Sequence, residues 1–349
     1  GRPRRAARLG EPPGRPEELE AEIEAQLLAH GGLRGDRPAL LLASVSGGSD
    51  STAMLLLASR LVRRMPLWDL QVLHFNHGLR PESAHEEAFV CALAARLGVR
   101  CHVERAGPDE FEGSGGLQCL ARDWRRSTAA KLLLRLAPDV ARGDAAAGAV
   151  LCAHQRDDQV ETQVFRLLRG AHLARLAGMR GRDGPFARPL LRVQKKVLQA
   201  FLAAEGQEWM EDASNAKLVY ERNRIRHEVL PLLADICGGT EALHRRFVSI
   251  GEQSEGLSEW LESACTAHGG PDYPDPSQSL SLDVGPSFQA LPELLRHEML
   301  WRFAANACGH FLGHGEVRSI GEALQGPTSG PTRWDVSGGW RLERSGGAL

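Results

Sequence analysis

The sequence predicts an α/β protein: a parallel, Rossmann-like sheet with helices on both faces, followed by a smaller, mainly helical domain. Three observations lead there. From residue 39 onward, short apolar β-type runs alternate with helical patterns. A glycine-rich junction, Ser46-Gly47-Gly48-Ser49-Asp50-Ser51, sits between the first apolar run and the next. After about residue 235 the alternation stops, and apolar residues recur three or four apart, the helical period. Residues 1–37 are accordingly expected as a disordered tail, 38–235 as the α/β domain, and 236–349 as the helical domain with a short C-terminal hairpin.

The opening residues, GRPRRAARLGEPPGRPEE, are rich in Arg, Pro and Gly and show no periodicity, which predicts disorder. Strands are predicted at Ala39–Val45, Leu70–Asn76, Val99–Glu104 and Ala149–His154. Helical patterns fill Thr52–Arg64, Ser83–Leu97 and Leu117–Leu136 between them. Gly107–Gly116 is expected as a mobile loop and Leu136–Ala149 as a surface insertion. Gln194–Ala204 reads as another helix, and Val219–Leu230 as one that stops at Pro231. In the last third, Leu243, Phe247, Ile250, Leu257, Trp260 and Leu261 recur at helical spacing, as do Leu291, Leu294, Leu295, Met299 and Phe303. His268–Ser279 links these two stretches, and RWDVSGGWRLERSGGAL predicts a hairpin turning at Gly338-Gly339.

Composition bounds the function. With 349 residues, 42% apolar and 25% charged, the chain has the make-up of a soluble protein large enough for two domains. No apolar run approaches the roughly 18 to 20 residues of a membrane span, so no membrane partner is expected. The cysteines (Cys91, Cys101, Cys119, Cys152, Cys237, Cys265, Cys308) never form CxxC, which disfavours zinc, iron–sulfur and redox-pair chemistry and fits a reducing, cytoplasmic setting. The chain starts at Gly1, and an Arg-rich start that is the remnant of a transit segment would instead place it in a plastid or mitochondrion. The net charge is −2, yet between Arg156 and Lys196 ten basic residues stand against four acidic ones, an excess of six. Such a patch either steers a polyanion or is a solvated face.

The Ser46–Ser51 junction has the make-up of a phosphate cradle. Gly47 and Gly48 permit positive φ and close backbone approach. Successive N–H groups at a helix start attract an anion, and Ser46, Ser49 and Ser51 add hydroxyl donors. The loop lacks the GK[ST] lysine of a Walker A motif and is not GxGxxG. Asp50 would repel a phosphate unless Mg²⁺ lies between them, which makes it the candidate metal ligand. The alternative is a capped helix entry with serine N-caps.

Further along, LCAHQRDDQVETQVFRLLRG places Asp158, Glu161 and Arg169 within about 80° of one another on a helix, with Val160, Val164 and Leu167 opposite. That polar face suits a cation, metal or ammonium, beside an anion; an exposed salt-bridged helix is the bland alternative. His154 closes a strand just before it, and His77 and Gly78 follow the second strand on the same rim. Arg122 and Arg125 share one helix face and suit phosphate. EDASNAKLVYERNRIRHEVLP carries Lys217, Arg222, Arg224 and Arg226 with Tyr220 and Asn223 between them, a pattern suited to an RNA backbone or to a solvated helix.

Taken together, SVSGGSDS, HFNHGLRPES, AHQRDDQVETQVFRLLRG, RPLL (Arg188–Leu191) and WMEDASNAKLVYERNRIRHEVLP resemble the tRNA(Ile)-lysidine synthetases, PP-loop enzymes of the N-type ATP pyrophosphatase superfamily. The resemblance runs in order from about Pro38 to Leu233. LPELLRHEMLWRF and VSGGWRLER are similar to that family's helical domain and linker. The first loop alone marks only the superfamily; the acidic helix with the D-x-SN…RN-x-IR stretch is far more specific. One departure is Arg126, where the family usually has an aromatic residue. Another is the end at Leu349, soon after the helical domain, where longer members carry a further C-terminal domain.

The resemblance implies a PP-loop domain that uses ATP and Mg²⁺ to adenylate the C2 oxygen of the wobble cytidine in a tRNA(Ile) with a CAU anticodon. The ε-amine of free L-lysine then attacks C2 and expels AMP. Ser46, Gly47, Gly48, Ser49, Asp50 and Ser51, with His77 and Arg122, would hold ATP. Asp158 and Glu161 would bind lysine. Arg125, Arg169, Lys217, Arg222, Asn223, Arg224 and Arg226 would contact the adenylate or the tRNA. Asp50 would act near the reacting centre, and His154 or Asp157 would take the amine's proton. A homodimer is compatible with the sequence. The competing possibilities are another PP-loop enzyme, such as a tRNA thiolase or an amidotransferase-type synthetase, and a non-catalytic ATP- or RNA-binding module.

Overall fold

The computed structural model describes residues 15–78, 83–107, 111, 117–211, 221–269, 282–308, 312–325, 332–336, 340–344 and 349. Among them no helix is long and apolar enough to cross a membrane. Internal contacts divide the chain into two units, Gly1–Glu161 with Met179–Leu233, and Thr162–Gly178 with Ala234–Leu349.

The first unit opens with helix α1 (Pro16–Ala29), where a tail was expected. Pro16 has the φ of a first helical residue, and Glu18 Oε2 accepts from the Arg15 N–H at 3.3 Å. Leu19, Ile23 and Leu27, four apart, are buried in the main core. The Arg- and Pro-rich composition that predicts disorder is confined to the residues before this apolar stripe.

Strands β1 (Ala39–Ser44), β2 (Trp68–Asn76), β3 (Arg100–Arg105) and β4 (Gly148–Leu151) alternate with helices α2 (Ser49–Arg64), α3 (Ser83–Leu97) and α4 (Leu117–Leu136). The sheet order is β3-β2-β1-β4-β6-β5, with two short strands, β5 (Arg182–Asp183) and β6 (Phe186–Ala187), absent from the sequence-based expectation. All pairs are parallel except β5 with β6. Two-residue strands carry no periodic signal, so only their neighbours reveal them. The segment before β4, expected as an insertion, folds as α5 (Pro138–Ala141) and a 3₁₀ turn at Ala145–Ala147, with Asp144 Oδ1 accepting from Ala146 N at 3.1 Å.

Alternation along β1 explains the two layers. Leu41 and Ala43 face a core shared with α1, α2, α3 and α7 (Lys195–Ala204), whereas Leu40 and Leu42 face Ala129, Leu132 and Leu133 of α4. Arg182 binds the pieces together, donating to the Gly31, Gly184, Ala145 and Gly148 carbonyls. Arg126 fills its position differently from an aromatic residue: its guanidinium lies 4.2 Å from the Phe186 ring centre and pairs with Asp183 at 2.9 Å.

Helix α6 (Arg156–Leu168) follows β4. Val160 and Val164 are buried as expected, but Leu167 is exposed. The segment predicted to stop at Pro231 runs on through it as α8 (Glu221–Arg224), a π-turn at Ile225–Val229 and α9 (Leu230–Cys237). Leu230 N–H reaches back to Ile225 O, and this wide turn relieves the proline ring's clash with the preceding turn.

In the second unit, α10 (Thr240–Ala267), the short α11 (Pro286–Gln289), α12 (Glu293–Cys308) and α13 (His314–Leu324) gather around Leu261, Cys265, Leu295, Met299, Phe303 and Ile320. Ile250 and Trp260, placed in the predicted stripe, are 40% and 54% exposed. Strands β7 (Thr332–Val336) and β8 (Trp340–Arg344) pair antiparallel from Thr332↔Arg344 to Val336↔Trp340; the predicted turn glycines lie outside the described residues. So do most of the Gly107–Gly116 loop and the linker after Gly269.

Candidate functional site

Strand β1 pairs with β2 on one side and β4 on the other, so the crevice at their C-terminal ends is a topological switch point, the usual ligand position in open α/β sheets. The Ser46–Ser51 loop lies there, between β1 and α2. Gly47 has φ +94°, a left-handed conformation, and a Cβ on it would meet Met210 and Phe89. Its carbonyl accepts from Met210 N at 2.9 Å and Thr52 Oγ1 at 3.1 Å. Ser51 Oγ donates to Gly48 O at 3.1 Å and accepts from Ser46 N at 3.2 Å, and the Ser46 and Ser51 hydroxyls are 3.1 Å apart. The serines therefore brace the loop rather than cap the helix: N-cap Gly48 supplies no side chain, and α2 keeps its first-turn N–H groups for an anion.

Asp50 stands in the first turn of α2, where Ser49 Oγ donates to it at 3.2 Å. Burial pushes its carboxyl up to about 6; Asp158 adds to the rise, while Lys195, Ser49 and Arg226 oppose it. Asp50, Asp158, Lys195 and Arg226 thus share one electrostatic neighbourhood.

At the start of α6, Asp158 and Glu161 are both buried, Glu161 to 1% exposure. Their cations come from α8 and the π-turn. Arg226 Nε donates to Glu161 Oε1 at 2.5 Å and its Nη2 to Oε2 at 3.0 Å. Arg222 Nε donates to Glu161 Oε2 at 3.0 Å, and the Nη2 atoms of both arginines lie 3.3 Å from Asp158 Oδ1. Asp158 Oδ2 accepts from Gln155 N at 3.0 Å. Arg169 follows the end of α6, where its guanidinium lies 4.1 Å from the Phe165 ring centre.

His154 follows β4. Burial pulls its proton affinity down to about 3, helped by Arg188, Arg222, Arg122 and Arg125. An imidazole in that setting is neutral and a poor proton acceptor. Asp157 is otherwise engaged: its Oδ2 accepts from Lys195 N at 2.9 Å and so caps α7. The base role expected of His154 or Asp157 is not supported by either environment. His77 packs against Phe111 and Trp124, with ring centres 5.7 and 5.3 Å away, on the α4 side that also carries Arg122 and Arg125. Arg224 points outward and pairs with Glu228 at 3.0 Å. Asn223 lies beside it on α8, and Lys217 falls outside the described residues.

Two residues of the neighbourhood escaped the sequence-based set. Lys195 is one of only four lysines in the chain (Lys131, Lys195, Lys196, Lys217) against 38 arginines, a rarity that could have singled it out. Arg188 follows β6, is buried, and holds the Arg180 carbonyl at 2.8 Å; in the sequence it stands out only as the first residue of the RPLL motif. Among the described residues no group of three or more His, Cys, Asp or Glu could hold a metal ion. Asp50 can thus offer one oxygen to Mg²⁺, a metal that keeps several waters and takes the rest of its shell from substrate phosphates.

A family model described as a PP-loop domain matches residues 19–233. A tRNA(Ile)-lysidine synthase of Bradyrhizobium diazoefficiens is 38% identical over 284 residues, covering 78% of this chain and 74% of that protein. The Thermus thermophilus protein of the same name is 35% identical over 315 residues, 88% of this chain and 56% of its own length. One from Treponema pallidum is 36% identical over 241 residues, 66% of this chain and 49% of its own. The chain thus spans about half the length of the Thermus and Treponema relatives. Among solved structures, a U34-tRNA thiolase from Methanococcus maripaludis superposes with a TM-score of 0.54 at 14% identity, covering 71% of this chain and 81% of that one, a likeness of fold alone.

Proposed function

The chain belongs to the PP-loop family of tRNA(Ile)-lysidine synthases, and on that premise we propose that it ligates L-lysine to C2 of the wobble cytidine of a tRNA(Ile) with a CAU anticodon, at the expense of ATP. One observation carries the assignment to this chain's own residues. Two buried carboxylates, Asp158 and Glu161, stand in the same neighbourhood as the phosphate-type loop and its Asp50. A carboxylate pair sunk in protein is a site for an ammonium group, and the loop beside it is a site for a triphosphate.

In the first half-reaction the N–H groups of the Ser46–Ser51 loop hold the phosphates, and the cytidine C2 oxygen attacks the α-phosphorus, releasing pyrophosphate. Mg²⁺, held through Asp50, would screen the phosphate charge. Arg122, Arg125 and Arg188 surround His154 with positive charge suited to the adenylate. Neutral His154 then serves as a hydrogen-bond partner for the base and not as an acid. In the second half-reaction Asp158 and Glu161 orient lysine, its ε-amine gives up a proton and attacks C2, and AMP leaves. The carboxylates that grip the amine are the nearest proton acceptors. Arg224 contributes to the RNA contact. The reaction is placed in the cytoplasm, or in an organelle of bacterial type, where thiols stay reduced like the free Cys91, Cys101, Cys152, Cys237 and Cys265.

The test is incorporation of labelled lysine into a tRNA(Ile) transcript bearing CAU, with ATP, and matched release of AMP and pyrophosphate. Label in that transcript and none in one bearing another anticodon is the expected result. No incorporation by the protein would sink the proposal.

A further inference from the structure

The two carboxylates proposed to hold lysine are already paired. Glu161 Oε1 accepts Arg226 Nε at 2.5 Å, and Oε2 accepts Arg222 Nε and Arg226 Nη2, each at 3.0 Å. Asp158 Oδ1 lies 3.3 Å from both Nη2 atoms, and Oδ2 accepts Gln155 N at 3.0 Å. Every carboxylate oxygen thus has a donor, and two guanidinium charges balance two carboxylate charges. An incoming ammonium finds no uncompensated charge there, and it gains a carboxylate for itself by taking the place of a guanidinium.

The two arginines are not equally held. Arg226 forks across both oxygens of Glu161 and its side chain is 28% exposed. Arg222 gives one bond to each carboxylate and its side chain is 48% exposed. Arg222 is therefore the arm that can leave at least cost, with Arg226 remaining to compensate Glu161. Two residues along the same turn, Arg224 faces solvent with its side chain 64% exposed and pairs there with Glu228 at 3.0 Å, a weak surface pair whose cation a polyanion can take over. A phosphate, though tetrahedral, offers the planar guanidinium of Arg222 two oxygens, as the carboxylates do.

We propose that Arg222 is a latch: it occupies the ammonium site in the RNA-free protein and is drawn out by RNA phosphate, so that lysine and tRNA bind with positive coupling. This rests on the lysidine-ligase assignment. Lysine is thereby admitted chiefly when there is RNA to receive it. Because coupling is reciprocal, lysine must also tighten RNA binding by the same factor.

The experiment is equilibrium dialysis of labelled L-lysine, without ATP, against the wild-type chain and the variants Arg222→Gln and Arg222→Lys, each with and without the CAU-bearing transcript. The transcript should lower the wild-type lysine dissociation constant by about tenfold, within the usual range of coupling between sites. Arg222→Gln should bind lysine about tenfold more tightly than wild type without RNA, and RNA should then change its affinity by less than about twofold. Arg222→Lys keeps a cation in place and should retain wild-type-like coupling. Equal lysine affinity of the wild-type chain with and without transcript overturns the latch, and this arm needs no variant to fold. Weaker lysine binding by a folded Arg222→Gln also overturns it, making Arg222 a lysine ligand. No lysine binding by any of the proteins under any condition overturns the latch alone; the ligase assignment stands or falls on the incorporation assay with ATP.

Discussion

Arg226 grips Glu161 with two nitrogens, Nε on Oε1 at 2.5 Å and Nη2 on Oε2 at 3.0 Å, across 65 residues of chain. Glu161 is almost wholly buried, and this fork supplies two of its three guanidinium bonds, Arg222 Nε the third. Taking one member from a buried pair leaves an uncompensated ion, typically a loss of about 3 kcal/mol or more. Arg226→Ala is therefore expected to lose about 3 kcal/mol of stability in urea denaturation. A loss below about 1 kcal/mol would show that Arg222 alone neutralises the site.

Glu161→Gln keeps the shape of the side chain and removes its charge. The lysine KM should rise by at least about tenfold, the equivalent of roughly 1.4 kcal/mol of lost binding, while ATP binding stays within twofold. Steady-state lysine titrations and nucleotide binding measured separately check this. An unchanged lysine KM removes Glu161 from the lysine site.

Asp157 and Asp158 are adjacent in sequence and differ in job. Asp157 caps α7 through Lys195 N, so Asp157→Ala is expected to cost about 1 kcal/mol of stability with lysine incorporation retained at elevated protein concentration. Loss of incorporation in a folded Asp157→Ala protein would restore it to the chemistry.

His154 sets a pH dependence with a definite sign. Its folded proton affinity, about 3, lies below the ordinary 6.5, so between those values the unfolded chain carries a proton that the folded chain does not. Wild type should then lose stability relative to His154→Gln as pH falls from 6.5 toward 3, by up to about 1.4 kcal/mol per pH unit. Asp50 titrates in the opposite sense between its ordinary 3.8 and about 6, which would mask the effect in either protein alone but cancels in the difference. Urea midpoints of both proteins at pH 7, 6, 5 and 4 supply that difference; parallel curves would mean His154 is solvated.

Helix α1 is part of the fold, and Leu27, fully buried, is expected to cost about 3 kcal/mol when replaced by Ala. A surface tail would tolerate the change with no shift in midpoint.

How far the sequence led follows from which residues carry periodic signals. Strands β1 to β4 and the helices between them announce themselves through runs of Leu, Val and Ala that fill two faces of a sheet. The loop was legible because two glycines and three hydroxyls at a strand–helix junction have few other uses. Asp158 and Glu161 were found by helical spacing, yet Arg222 and Arg226 as their partners were not. Their contact spans more than 60 residues and arises from tertiary packing, about which spacing is silent. Asp157 looked like its neighbour until α7 arrived at its side chain. The N-terminal helix was hidden because Arg15, Pro16 and the acids after it resemble the tail that precedes them.

Arg126 carries a consequence for the sheet edge. Its guanidinium lies over Phe186 and against Asp183, and the same acid lies 3.4 Å from Arg188. Removing Arg126 alone would leave Asp183 leaning on Arg188 by itself. One carboxylate on a two-residue strand is thus shared between a half-exposed arginine and a buried one, so a change at the surface is felt by the guanidinium beneath it.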